Sequence, residues 1–458
     1  MQKTFSSVNE EFKDSVKKLI ETVEKTDAIP MELYSKYNVK RGLRNADGTG
    51  VLVGLTAIGE VHGYLIQDSD KIPSHGKLLY RGISINELIR GCQAEKRFGF
   101  EEVCYLILFG ELPTKEQLAT FNKLLIKMRN LPDNFVEDTI IKTPSKNIMN
   151  KLARSVLTLY SYDDKADDIS LSNVMLQSIS LIAKFPILIA NAYATKKYAY
   201  EKGSLVIHTH NPELSTAENF LYMIRPDHKF TKEEAEILDL CLILHAEHGG
   251  GNNSAFTTHV VSSSDTDTYA AISSAICSLK GPKHGGAAET VAKMFDEIKE
   301  NVKNWDNEDE VEAYVTKIIR KQAFDHKGLV YGMGHAIYTL SDPRSVLLKE
   351  KAKELALIKG REKEFALYEL VEKVTPRVFF NEKHHEKPLC SNVDFYSGLV
   401  YSMLGISTDL FTPLFSMSRI VGWSAHRIEE IVSGGRIIRP AYKSISNRLT
   451  YQPLEERE

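Results

Sequence analysis

Two histidines in this 458-residue sequence stand in glycine-rich segments where a bound ligand could reach the backbone. His284 lies in the segment G-P-K-H-G-G at residues 281–286, and His335 follows the G-M-G at residues 332–334. Glycine carries no side chain, so a turn built from it leaves its amides open to a ligand. An imidazole at such a turn can donate or accept a proton, as general acid and base catalysis requires. Each segment alone is also typical of an ordinary turn.

Two charged residues stand at predicted helix starts. Asp342 and Pro343 predict a helix with the aspartate as N-cap and the proline in the first position. Arg344 would then lie in the first turn, where its forked donors and the positive helix end both favour a carboxylate ligand. Asp394 follows Asn392 at the start of an apolar helix, and these residues alone leave open whether it is a functional carboxylate or a helix cap.

A second pair of histidines, His245 and His248, ends an apolar helical stripe. This spacing would allow both side chains to reach one metal ion, but the sequence is not H-E-x-x-H and shows no third ligand nearby. We therefore expect no bound metal, and a metal-dependent hydrolase built on these histidines is kept as a rival interpretation.

The composition is that of a folded globular protein. Hydrophobic residues make up 43% and charged residues 26% of the chain, and the formal net charge of −3 is too balanced for nucleic-acid binding. Five scattered cysteines without a C-x-x-C pair indicate a reducing compartment. The most apolar stretch, residues 179–194, is interrupted by Lys184 and Pro186 and is too short to span a membrane. With no secretory signal at the N-terminus, we expect a cytoplasmic protein that binds no membrane.

Helical patterns dominate the elements that must position these residues, so the sequence predicts a mainly α fold. Capping boxes at residues 114–117 and 231–234 mark two helix starts. Glycine and β-branched residues at 50–59 predict a short β-hairpin near the N-terminus, and residues 8–23 look helical. The charged stretches between His284 and Asp394 predict a smaller, more peripheral lobe.

Together and in this order, the motifs resemble those of the citrate synthase family. They are G-P-x-H-G at residues 281–285, G-x-G-H-A at 332–336, D-P-R at 342–344 and N-V-D-x-x-S-G at 392–398. The resemblance extends from about residue 50 to the C-terminus. It implies a two-domain helical fold in which residues 284–394 form a small mobile domain that closes over the site. Residues 1–283 and 395–458 would form the large helical domain.

The resemblance also implies a reaction, the condensation of acetyl-CoA with oxaloacetate and water to citrate and CoA, which opens the tricarboxylic acid cycle. Asp394 matches the base that deprotonates the acetyl methyl group, and His284 matches the residue that hydrogen-bonds the thioester carbonyl. His335 matches the donor that polarises the carbonyl of oxaloacetate. The enzyme would be an acyltransferase without a cofactor, since acetyl-CoA is a substrate.

Substrate binding is implied for further residues. His248, Arg344 and Arg419 match the groups that hold oxaloacetate, and Arg439 matches an arginine supplied by the partner subunit of a homodimer. The segment matching the adenine-binding loop of the family contains Leu329, Val330, Gly332, Met333 and Gly334. Thr339 replaces an arginine that contacts a CoA phosphate in mitochondrial-type relatives, and Gly249 replaces a glutamate found in many relatives.

Two further interpretations keep the fold. A 2-methylcitrate synthase uses propionyl-CoA with the same catalytic residues, and a single methylene distinguishes the substrates by only about 1 to 3 kcal/mol. A non-catalytic helical scaffold would bind oxaloacetate or CoA without turnover.

Overall fold

Helices make up most of the computed structural model, which describes residues 13–45, 48–67, 70–384 and 387–457. The described part contains seventeen α-helices and one three-stranded antiparallel sheet. The first nine helices are α1 Lys13–Thr26, α2 Met31–Lys36, α3 Ile85–Ala94, α4 Phe100–Phe109, α5 Lys115–Met128, α6 Ile148–Leu159, α7 Leu171–Glu201, α8 Thr216–Ile224 and α9 Lys232–His245. The other eight are α10 Asn253–Ser262, α11 Thr268–Leu279, α12 Ala287–Asn301, α13 Glu308–Ile319, α14 Pro343–Lys359, α15 Glu362–Lys383, α16 Val393–Met403 and α17 Phe411–Val432. The predicted mainly α fold is confirmed.

The chain divides into two units, Met1–Gly54 and Leu55–Glu458. In the first unit, α1 covers residues 13–23 of the predicted N-terminal helix, whereas residues 8–12 lie outside the described part. The first unit also contains α2, and the second unit contains the sheet and helices α3 to α17. The predicted domain boundaries at residues 284 and 394 stay a prediction.

The predicted β-hairpin near the N-terminus is confirmed, but its position at residues 50–59 was wrong. Residues 51–58 form no strand, and the sheet follows them as β1 Gly59–Gln67, β2 Asp70–Tyr80 and β3 Ile83–Ser84. Gly59 pairs with Tyr80 and Gln67 with Asp70. Within the predicted hairpin, Leu52 and Leu55 are 86% and 91% exposed, and Ile58 at its end is the buried residue. In contrast, Leu78 and Tyr80 of β2 are buried in the core.

The hairpin of β1 and β2 supports the loop that precedes α14. Glycine allows the close approach, because a Cβ atom at Gly63 would lie 2.3 Å from the Ile337 carbonyl oxygen. At Gly76 it would lie 2.3 Å from the Ser341 carbonyl oxygen, which accepts a hydrogen bond from the Gly76 amide. The hairpin thus fixes the segment between His335 and Arg344.

Helix α17 forms the centre of the second unit, where it packs against α4, α7, α9, α10 and α11. Trp423 and Arg419 on this helix are almost fully buried. Gly422 lets the turn after α9 approach closely, since its amide donates to the Ala246 carbonyl at 3.2 Å and a Cβ atom would overlap Glu247. The packing therefore brings Arg419 beside His245 and His248.

Helix α7 is longer than the apolar stretch suggested, because it continues through Lys184 and Pro186. Among the described residues it is the one helix long and apolar enough to cross a membrane, but 72% of its apolar window is buried inside the protein. Such burial is typical of a core helix, and α7 packs against α5, α6, α8 and α17.

The predicted helix starts are confirmed. Thr114 and Thr231 cap α5 and α9 with complete capping boxes. Asp342 caps α14 and Pro343 occupies its first turn.

Candidate active site

Loops and helix ends from five parts of the second unit converge on one site. His248 follows α9, His284 lies between α11 and α12, and Asp394 is in the first turn of α16. The rings of His248 and His335 are 5.2 Å apart between centroids, in an edge-to-face arrangement. Both Arg344 and Arg419 act electrostatically on Asp394. The structure thus brings together six of the seven residues assigned to catalysis and oxaloacetate binding.

Arg419 is a buried cation with unused hydrogen-bond donors. Its side chain is 1% exposed, and its Nε donates to the His245 carbonyl oxygen at 2.7 Å. Its two terminal nitrogens, Nη1 and Nη2, have no hydrogen-bond partner. Burial lowers the pKa of this guanidinium to about 10, so it still carries its charge at neutral pH. A buried fork with two open donors is suited to a carboxylate, which accepts two parallel hydrogen bonds.

Arg344 is held in place by its own helix cap. The carboxylate of Asp342 accepts hydrogen bonds from Nε at 3.0 Å and from Nη2 at 2.7 Å, as well as from the Arg344 amide. Both residues are buried. Asp342, the N-cap that the sequence predicts, therefore also orients the guanidinium of Arg344.

Backbone amides fix the tautomer of His335. Its Nδ1 accepts hydrogen bonds from the amides of Ile337 and Tyr338, both at 3.1 Å. The neutral ring then carries its proton on Nε2, which makes this atom a donor. The ring also stacks on Tyr338, with 4.6 Å between the centroids.

His248 is a neutral side chain in a positively charged site. Burial, together with Arg344 and His335, holds its pKa well below the usual range. Its Nε2 lies 3.2 Å from the Tyr338 hydroxyl. Glu247 stabilises the loop that carries His248, because its carboxylate accepts hydrogen bonds from the Gly249 amide and from His426. The glycine at 249 therefore does not leave His248 unsupported.

His284 is positioned by Ser254. Its Nε2 lies 3.0 Å from the Ser254 Oγ, which also accepts a hydrogen bond from the Trp423 indole at 3.0 Å. The hydroxyl has one proton, which it can donate either to the side-chain oxygen Oδ1 of Asn252 at 2.9 Å or to His284. If the hydroxyl turns towards His284, the imidazole must carry its own proton on Nδ1. Burial and Arg419 lower the pKa of His284 to about 4, so the ring is neutral.

Asp394 is a carboxylate with a raised pKa. Burial is the largest cause and lifts the pKa from 3.8 to about 6, although Arg344 and Arg419 oppose this change. The helix cap is Asn392, whose side chain accepts a hydrogen bond from the Asp394 amide. The cap interpretation of Asp394 is therefore wrong, and its carboxylate remains available as a base that is mostly ionised at neutral pH.

The predicted CoA loop is tied to the start of α16. The Gly332 carbonyl accepts a hydrogen bond from the Asn392 amide at 2.8 Å, and the Gly334 amide donates to the Cys390 carbonyl at 2.7 Å. Of the predicted contacts in this loop, Val330 is buried, Met333 is partly buried and Leu329 is half exposed. Thr339 donates to the carbonyls of Gly63 and Ser74, so its hydroxyl is used to attach the hairpin.

Arg439 is the assigned residue that the structure does not bring to the site. It lies on residues 435–453, which form neither helix nor strand, and its side chain is exposed. Several large apolar side chains of the same segment are exposed as well, with Tyr442 at 95% and Leu449 at 90%.

Sequence reasoning missed Ser254, Tyr338 and Glu247. Ser254 and Glu247 each lie within six residues of His248, in a motif that was judged mainly as a metal pattern. Tyr338 follows His335 by three residues, and at this spacing its amide reaches Nδ1 of His335. The signal that could have identified these three residues is their closeness in sequence to the matched motifs. Hydroxyl and carboxylate side chains are too common for that signal to be specific.

The two histidines of the rival metal site contact groups of the protein. Nδ1 of His245 contacts the Cys241 carbonyl at 2.8 Å, and burial lowers the pKa of its ring to about 3. Neither His245 nor His248 belongs to the group of three potential metal ligands found among the described residues.

Known proteins resemble this chain in sequence and in fold. A family model described as citrate synthase, C-terminal domain, matches residues 45–441. A citrate synthase of Deinococcus radiodurans is 37% identical over 369 residues, which cover 80% of this chain and 89% of that protein. A 2-methylcitrate synthase 1 of Corynebacterium glutamicum is 31% identical over 431 residues, covering 92% of this chain and 100% of that protein. A solved ternary complex of carboxymethyl coenzyme A and oxaloacetate with citrate synthase from Thermoplasma acidophilum has a TM-score of 0.75 and 26% identity, covering 92% of this chain and 99% of that chain.

Proposed function

The chain belongs to the citrate synthase family, and we propose that it condenses acetyl-CoA with oxaloacetate and water to give citrate and CoA. The observation that carries this proposal is the buried guanidinium of Arg419 with two open donors, in the same site as Arg344 and the carboxylate of Asp394. Such a site binds an anionic substrate next to a base. The reaction would open the tricarboxylic acid cycle.

The first step is the removal of a proton from the methyl group of acetyl-CoA by Asp394. This α-proton is only weakly acidic, so the developing enolate needs a hydrogen-bond donor. When the Ser254 hydroxyl donates to Nε2 of His284, the neutral ring carries its proton on Nδ1, which is then the atom that donates to the thioester oxygen. A neutral imidazole suits this task, and the low pKa of His284 keeps it neutral.

Carbon–carbon bond formation is the second step. The enolate carbon attacks the ketone carbon of oxaloacetate while Nε2 of His335 donates a proton to the ketone oxygen, which yields citryl-CoA. Water then cleaves the thioester to citrate and CoA. The two amides on Nδ1 of His335 keep the donating proton on the correct nitrogen.

Charge balance supports a homodimer. Oxaloacetate carries two negative charges, whereas Asp342 already neutralises Arg344 through two hydrogen bonds. Arg419 alone leaves one substrate carboxylate without a cation, and a third arginine from a partner subunit would supply it. Arg439 fits this role, since it lies on an exposed segment whose large apolar side chains need a partner surface.

Oxaloacetate-dependent release of the CoA thiol tests the reaction. Acetyl-CoA and propionyl-CoA should be compared over a range of concentrations, with a chelator control. We expect acetyl-CoA to be preferred and turnover to persist in the presence of the chelator, since no catalytic step uses a metal. A preference for propionyl-CoA would support 2-methylcitrate synthase instead, the activity named for the relative from Corynebacterium glutamicum. The absence of thiol release with both donors would contradict the proposal and support a non-catalytic scaffold.

Co-expression of two inactive variants tests the role of Arg439. In a heterodimer of Asp394→Asn and Arg439→Ala subunits, a cross-subunit arginine leaves one site with both intact residues. A statistical mixture should then recover about a quarter of the wild-type rate. No recovery above the separate variants would show that Arg439 does not act across the interface. We also propose a cytoplasmic location, because all five cysteines are free thiols.

A further inference from the structure

Two histidines and a glutamate form a compact cluster between α10 and α17, separate from the residues that face the substrate. Nε2 of His259 and Nδ1 of His426 are 3.1 Å apart, and Oε2 of Glu429 is 3.6 Å from the same Nδ1. All three atoms lie within 4.8 Å of one another. Ligand atoms of a tetrahedral zinc ion with bonds of about 2.0 to 2.1 Å are separated by similar distances, about 3.3 Å.

Hydrogen bonding alone does not satisfy the three facing atoms. If His426 carries a proton on Nδ1, it can donate that proton to His259. Oε2 of Glu429 is buried and has no hydrogen-bond partner. The other oxygen of this carboxylate accepts from the Ala57 amide at 2.8 Å, which fixes the direction in which Oε2 points. Three electron-pair donors that share one proton are a poor hydrogen-bond network but a suitable set of ligands for a cation.

Each of the two histidines also contacts a carboxylate through its other ring nitrogen. Nε2 of His426 is 3.0 Å from Oε1 of Glu247, and Nδ1 of His259 is 2.8 Å from Oε2 of Glu430. Metal-binding histidines commonly donate their second N–H to a carboxylate, which fixes the tautomer and raises the basicity of the ligating nitrogen. Here both imidazoles have this arrangement, with the ligating nitrogens turned towards each other.

We propose that His259, His426 and Glu429 bind one divalent transition-metal ion of the zinc class, with water as a fourth ligand. Two imidazoles and a carboxylate are donors that suit zinc. The charge also favours a cation, since three carboxylates, Glu247, Glu429 and Glu430, lie against the two histidines. The sequence predicted no metal, because these ligands lie 167 residues apart and form no local motif.

The position of the cluster implies a structural effect of the metal. A Cβ atom at Gly250 would lie 3.4 Å from both His259 Nε2 and His426 Cε1, so the glycine loop rests directly on the two rings. A metal ion would join α10 to α17 and hold this loop, and it would stabilise the folded chain because the unfolded chain has no such site.

Zinc binding by the chelator-treated full-length protein tests the site, independently of any catalytic activity. Equilibrium dialysis with metal analysis should give one zinc per wild-type chain. His259→Gln and Glu429→Gln should each weaken the binding at least tenfold, and added zinc should raise the melting temperature of the wild type but not of these variants. Two variants on different helices are used so that misfolding of one does not decide the result.

His228→Gln is the matched control, because His228 and His208 form another pair of close rings, 3.7 Å apart. This variant should bind zinc like the wild type. Absence of stoichiometric zinc in the wild type would overturn the proposal. So would zinc binding that persists in both His259→Gln and Glu429→Gln, or that disappears in His228→Gln.

Discussion

Asp394→Asn should give a protein that has lost condensation activity but is more stable than the wild type at alkaline pH. Asparagine keeps the shape of the side chain and cannot accept the methyl proton. The same substitution removes a carboxylate that the fold keeps ionised at a cost, since burial raises its pKa from 3.8 to about 6. Loss of activity and gain of stability therefore have one physical origin.

The size of the stability gain follows from the two pKa values. The folded state binds the proton of Asp394 more tightly than the unfolded state, so the ionised group destabilises the fold increasingly as the pH rises from 3.8 to about 6. Above this range the cost is constant at about 3 kcal/mol, and at pH 5 it is about half as large. Asparagine resembles the protonated acid, so the variant should avoid this cost.

Thermal unfolding of both proteins at pH 8, pH 6 and pH 5 measures this difference. The variant should melt at a higher temperature at pH 8, and its advantage should shrink towards pH 5. Asp296→Asn, a substitution of an exposed surface aspartate, is a control that should show no such trend. Full condensation activity in Asp394→Asn would refute the assignment of the base. An equal or lower melting temperature at pH 8 would refute the argument from burial.

Further predictions concern the same site and are all tested by steady-state thiol release. Arg419→Lys should raise the KM for oxaloacetate roughly thirtyfold, since an ammonium cannot replace two forked donors. Tyr338→Phe should raise this KM about fivefold because His248 loses its hydroxyl partner, and an unchanged KM would refute that contact. Ser254→Ala should lower kcat about tenfold with little effect on the KM for oxaloacetate, since it acts through His284. In the wild type, kcat/KM should fall about tenfold per pH unit below the Asp394 pKa of about 6, and a flat profile down to pH 5 would contradict it.

Helix ends and motif positions could be predicted from the sequence because they depend on local chemistry. Thr114, Thr231 and Asp342 cap helices in the way that their neighbours in sequence indicate. The hairpin was misplaced because glycine and β-branched residues at 50–59 describe only a local preference. A strand also needs a paired neighbour and a surface to pack on, and residues 59–84 have both.

Orientation within the site could not be predicted, because it depends on contacts between distant residues. The tautomer of His335 depends on two amides of its own loop, which the hairpin of β1 and β2 holds in place. Similarly, the proton of His284 depends on Ser254 and on the indole of Trp423, which is 169 residues further along the chain. The sequence identifies the histidines, but only the fold decides which nitrogen donates.

The pattern of buried charge explains why the site favours an anionic ligand. Arg344 is neutralised by its helix cap, and Glu247 is paired with His426. Among the described residues, Arg419 is the one arginine with two buried donors that lack partners, and a buried unpaired donor costs about 1 to 3 kcal/mol. Because a carboxylate ligand relieves this cost, part of its binding energy would come from pairing these two donors. The same reasoning explains why the histidines of the site are neutral. A further positive charge beside Arg419 and Arg344 would strengthen anion binding. It would also leave no imidazole able to donate and accept protons at neutral pH.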